Sequence, residues 1–105
     1  CLSLTNDMYE LDVKPRADKI FFKLSKKNSI MLTAIQKKID EIRLNPHHEY
    51  KFLRKPLQKF NRVHIDKHFV LVFRINHNNR VVEVHNFDHH DYIYKWIPVI
   101  TLLFF

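Results

Sequence analysis

At 105 residues the chain has the length of one small domain, and an apolar content of 46%, with nine Phe and four Tyr, excludes a low-complexity disordered polymer. Eighteen Lys and Arg against eleven Asp and Glu leave a formal charge of +7, which calls for an anionic partner: nucleic acid, a membrane surface or an acidic protein. The lone cysteine, Cys1, excludes a disulfide framework and points to a reducing, cytoplasmic setting.

In chain order, the first recognisable element begins near Met8. Tyr9-Glu-Leu-Asp-Val13 alternates apolar with acidic residues, the period of a half-buried strand. Pro15 suits the first turn of a helix, and Ala17, Ile20, Phe21 and Leu24 follow at helical spacing. Asn28-Ser29 offers an N-cap, after which Leu32, Ile35, Ile39 and Ile42 mark a second helix from about 29 to Leu44. Asn45-Pro46 stops it, because the residue before a proline is pushed out of the helical region. Two helices joined so tightly are expected to form an antiparallel hairpin.

Residues 47–60 read as irregular and basic. Arg62-Val-His-Ile-Asp66 alternates again and is expected to place Arg62, His64 and Asp66 on one strand face. Phe69-Val-Leu-Val-Phe73 is a continuous apolar run, as in a central strand covered on both faces. Arg80-Val-Val-Glu-Val-His85 is a third strand. The turns at 66–68 and 77–79 are short enough for hairpins. With no glycine in the chain, positive φ angles are expected on the Asp, Asn and His of these turns.

The order strand-helix-helix-strand-strand-strand predicts an α+β fold: an antiparallel sheet with an N-terminal helical hairpin packed on one face. The chain reads as one domain with a core over about 8–96. The apolar tail Ile97–Phe105 is far short of the roughly 20 residues that span a bilayer as a helix. No signal-peptide pattern precedes an apolar run, so a cytoplasmic protein with no membrane partner is expected.

Chemistry has few candidate places. Lys51, Arg54, Lys55, Lys59, Arg62 and Lys67 crowd one stretch, interleaved with Phe52, Phe60, His64 and His68. Cations supply phosphate affinity and rings stack on unpaired bases, the makings of an RNA-binding surface. The same run also fits a solvated loop whose Phe residues pack inward. His64 between cations suits a general acid or base, since imidazole titrates near neutrality, and equally suits an ordinary surface position. Asp88-His89-His90-Asp91, with His47-His48, invites a metal reading. Adjacent histidines rarely converge on one ion, and the chain has neither a helical i, i+4 His pair nor a Cys pair, so neither a metal nor another cofactor is expected.

Three stretches together resemble the RelE/ParE toxin superfamily, over about Tyr9 to Trp96. They are Tyr9-Glu-Leu-Asp-Val-Lys-Pro-Arg-Ala-Asp-Lys19, the run from Leu53 to Phe73 containing Arg-Val-His-Ile, and Phe87-Asp-His-His-Asp-Tyr-Ile-Tyr94. The resemblance implies a RelE-like fold and the RelE-type activity, a ribosome-dependent endoribonuclease that cuts mRNA by metal-independent attack of the 2′-hydroxyl. It also implies an acidic, RelB-like antitoxin as partner, besides the ribosome and mRNA. Carried over by position, Arg62 and His64 fall on the family's basic strand residues, His90 near its C-terminal Arg, and Tyr94 on its closing Tyr. Val70 stands where many RelE-type members carry an Arg, and His64 and His90 replace Lys or Arg. A ParE-type gyrase inhibitor and a non-catalytic RNA-binding protein are the competing expectations.

Overall fold

The alternating segment after Tyr9 forms an edge strand, β1 (Glu10–Val13), in the computed structural model, which describes residues 8–53 and 59–93. Helix α1 (Pro15–Lys27) begins on its proline, and Asn28 closes it by donating its backbone N–H to the Leu24 carbonyl. The same residue opens α2 (Ser29–Leu44), its side chain accepting from the Met31 N–H at 3.1 Å. A single asparagine therefore satisfies orphan groups of both helices. Strands β2 (Asn61–Ile65), β3 (Phe69–Asn76) and β4 (Val81–His89) complete the domain.

The sheet runs β1-β4-β3-β2. It is antiparallel through β2, β3 and β4, as expected, but β1 pairs with β4 in parallel, so the sheet is mixed. The helical pair supplies the long crossover that such a parallel edge requires. Tyr9 pins that edge. Its N–H donates to the Arg43 carbonyl, its carbonyl accepts from Arg43 Nε at 2.6 Å, and its hydroxyl lies 3.0 Å from His77 Nδ1.

Both faces of β3 are covered. Leu71 and Phe73 join Ala17, Ile35, Ile39 and Ile42 of the helices in the main core. Val70 and Val72 point the other way, into a smaller cluster with Leu53, Phe60 and Ile93. Residues 51–53 thus lie against this face and, with Phe60, roof it through Leu53, while Phe52 stays exposed.

Three details depart from expectation. A bulge in β4 makes Val72 pair with Asn86 and Phe73 with Val84, leaving His85 extra. The shift flips the alternation, so Phe87 reaches the helix-side core beside Val82 and Val84, and the strand continues to His89. Positive φ falls on Asp66 (60°) as expected, and on Arg80 (58°) instead of the asparagines before it. At Arg80 that conformation ends the turn where the Arg80 carbonyl accepts from the Glu10 N–H, joining the hairpin to β1. Asp66 lies in the turn, not on the face of β2 with Arg62 and His64, and its carboxylate accepts from the Lys67 N–H.

Candidate functional site

Residues of one parity on β2 face away from the helices. In antiparallel register Arg62 lies opposite Val72 and His64 opposite Val70, both on the side of the smaller cluster. This side holds a cleft of about 390 Å³ lined by Leu53, Arg62, His64, Lys67, Val70, His90 and Ile93. Its floor is apolar. Its wall carries two fixed cations and two imidazoles, with no carboxylate among the described lining residues.

Each polar group is placed by the backbone around it. Arg62 donates its N–H to the Lys51 carbonyl at 2.8 Å and its Nε to the Phe52 carbonyl at 3.4 Å, so the roofing segment steadies it. His64 is exposed on β2, and Lys67 follows in the tight turn that Asp66 caps. His90 leaves the end of β4, where its N–H donates to the His68 carbonyl at 2.8 Å. Its Nδ1 lies 2.9 Å from Asp91 Oδ1, which leaves the other ring nitrogen for a substrate. An Asp–His pair of this kind fixes the orientation of the ring.

Four of the residues singled out in the sequence, Arg62, His64, Lys67 and His90, therefore share one cleft. Lys51 and Lys59 do not. They line a larger groove of about 670 Å³ with His48, Glu49, Tyr50, Phe52, Asn61, Arg74 and His77. Tyr94, Arg54 and Lys55 lie outside the described residues. Sequence reasoning passed over Asp91 as a positioning group for His90, although the two are adjacent in the chain. It also passed over the apolar floor of Leu53, Val70 and Ile93. The substitution at Val70 makes sense in that floor, where the residue is 2% exposed and packs against both of the others.

At the far end of this side, His85 occupies the bulge, its Nε2 donating to Glu83 Oε1 at 3.2 Å and its ring edge-on to Phe60. Burial holds its pKa below the ordinary histidine value, and the bond to Glu83 only partly offsets this. It is a structural imidazole outside the cleft lining.

No protein-family model matches the chain. A protein of Methanocaldococcus jannaschii named as a RelE4 toxin is 58% identical over 88 residues, covering 84% of this chain and 93% of the relative. The toxin–antitoxin complex RelBE2 from Mycobacterium tuberculosis contains a chain with the same fold, at TM-score 0.65 and 20% identity, covering 79% of this chain and 99% of that one. Escherichia coli toxin RelE, as a double arginine-to-alanine mutant in the free state, superposes at TM-score 0.67 and 23% identity, over 83% and 88% of the two chains. At those identities the two structures speak to fold; the archaeal relative speaks to family.

Proposed function

The chain belongs to the RelE-like toxin family, and from that premise we propose that it is the toxin of a toxin–antitoxin pair, an endoribonuclease that cuts mRNA on the ribosome. The observation that carries the reading is the convergence of Arg62, His64, Lys67 and His90 on one cleft with an apolar floor. Arg62 and Lys67 meet the charge of a scissile phosphate. His64 takes the proton of the 2′-hydroxyl as the O2′–P bond forms. His90, held by Asp91, gives a proton to the 5′ oxygen as the P–O5′ bond breaks. The products are a 2′,3′-cyclic phosphate and a 5′-hydroxyl. Protons pass only between substrate and side chains, so no cofactor takes part.

A nuclease directed at the cell's own messages must be held in check, and a +7 surface is most readily met by an acidic protein. A RelB-like acidic antitoxin is the proposed partner, and the cytoplasm, where ribosomes translate, the proposed place of action. Primer extension on mRNA translated in vitro tests the reading. Cuts within codons that require both ribosome and toxin are expected. Intact mRNA with inhibited DNA gyrase would select the ParE-type activity instead, and binding without either effect would select a non-catalytic RNA-binding protein.

A further inference from the structure

A second cluster sits at the rim of the cleft. His68, in the turn between β2 and β3, His89, the last residue of β4, and His90 each offer a ring nitrogen, and the three nitrogens lie within 4.8 Å of one another. The His68 and His89 rings stack with 5.7 Å between centroids and 4° between planes, and His90 lies 4.5 Å from His89. The sheet, more than the loops, sets this convergence. His89 pairs with Phe69 in the β3–β4 register, and the His90 N–H donates to the His68 carbonyl. Asp91 touches two of the rings: its Oδ1 lies 2.9 Å from His90 Nδ1, and its backbone N–H donates to His89 Nδ1 at 3.1 Å.

We propose that His68, His89 and His90 form a binding site for a divalent transition-metal ion of the Zn²⁺ class. Imidazole donors suit Zn²⁺, Ni²⁺ and Cu²⁺, whereas Mg²⁺ and Ca²⁺ require oxygen ligands that the triad lacks. Three protein nitrogens around a tetrahedral ion leave a fourth position for water. Zn–N bonds of about 2.0–2.1 Å bring the donor atoms to roughly 3.3 Å from one another, so ring movements on the order of 1 Å close the site. His68 and His90 are exposed and have room to make them. Asp91 beside His90 is the kind of second-layer carboxylate that orients a ligating imidazole.

Because His90 also lines the cleft, an ion on the triad occupies the ring nitrogen that would carry the donated proton. Under the nuclease reading, on which this consequence alone rests, metal loading slows cleavage.

The site is tested on the full chain by titrating Zn²⁺ near neutral pH against a chromogenic chelator, with far-UV circular dichroism to verify folding. One Zn²⁺ per chain is expected, not displaced by excess Mg²⁺. His68→Ala and His89→Ala should each weaken it by at least about tenfold, and Asp91→Asn by about 10–100-fold. His47→Ala, in the other stacked histidine pair, whose ring centroids lie 4.9 Å apart, should leave it unchanged. Equal Zn²⁺ affinity in the wild type and in folded His68→Ala and His89→Ala overturns the site, and so does a loss confined to His47→Ala. Neither readout depends on catalysis, so a failure of the nuclease reading leaves this result standing.

Discussion

His90 has two neighbours with opposed consequences. Asp91, 2.9 Å from its Nδ1, steadies the ring at the cleft as a proton donor needs, whereas His68 and His89 make the same ring a candidate metal ligand. Removing either imidazole of the cleft, by His64→Ala or His90→Ala, is expected to slow mRNA cleavage by roughly 10²–10⁴-fold with folding intact, since both are exposed. Wild-type rates in both variants would move the chemistry to Arg62 and Lys67. Asp91→Asn tests positioning separately: kcat should fall, but less than in His90→Ala, with KM little changed. His85 makes a different prediction, about stability. With its folded pKa held below the ordinary 6.5, the unfolded chain takes up a proton first as pH falls. The folded state is therefore unpenalised above that value and loses stability below it. Urea midpoints measured between about pH 7 and pH 5 should fall more steeply in the wild type than in His85→Gln. Equal slopes would mean that His85 does not contribute.

At the scale of elements, α2 was legible because its apolar residues keep to one stripe and asparagines bound it at both ends, Asn28 before and Asn45 after. The burial of β3 on both faces was legible too, since five consecutive apolar residues leave no polar side for solvent. The parallel pairing of β1 was not, because nothing in four alternating residues says which strand they join. That choice is made by the crossover and by the bonds Tyr9 makes to Arg43 and His77. The β4 bulge was equally hidden: an even alternation from Val81 would send Phe87 to the wrong face, and only packing against the helices reveals the flip. His68 and His90 stand far apart in the chain and meet only through the β3–β4 register, which is why the triad escaped a reading that looked for neighbouring ligands. Arg62 and His64 were legible from the strand alternation, whereas the role of His90, just beyond the end of β4, came from a resemblance. The shared cap at Asn28 carries the element-scale prediction. Asn28→Ala removes the side-chain acceptor of the Met31 N–H and should lower stability by about 1 kcal/mol, read by denaturant unfolding. A change well below that would mean that another group caps α2.

At the scale of the whole molecule, the proposed nuclease has two concavities with different linings. The smaller cleft holds the groups suited to proton transfer, and the larger groove holds Lys51, Lys59 and Arg74 beside the exposed ring of Phe52. Cations next to an accessible aromatic ring are what a single strand of RNA requires, with phosphate contact and base stacking within reach of each other. The backbone bond from Arg62 to Lys51 joins the two, so a strand threaded through the groove would be delivered toward the cleft. If so, Lys51→Ala with Lys59→Ala should weaken RNA binding without moving the cut position, because neither residue lines the cleft. The salt dependence should record the loss. Each phosphate contact removed is expected to reduce the slope of log K against log salt by about 0.7 for a single strand, so the double variant should be flatter by roughly one to one and a half. Phe52→Ala, which removes stacking and leaves charge alone, should weaken binding at every salt concentration with the slope unchanged. Titrations of the wild type and these variants with a short single-stranded RNA, from low to physiological salt, separate the two contributions. A wild-type slope near zero would remove the groove from RNA binding altogether.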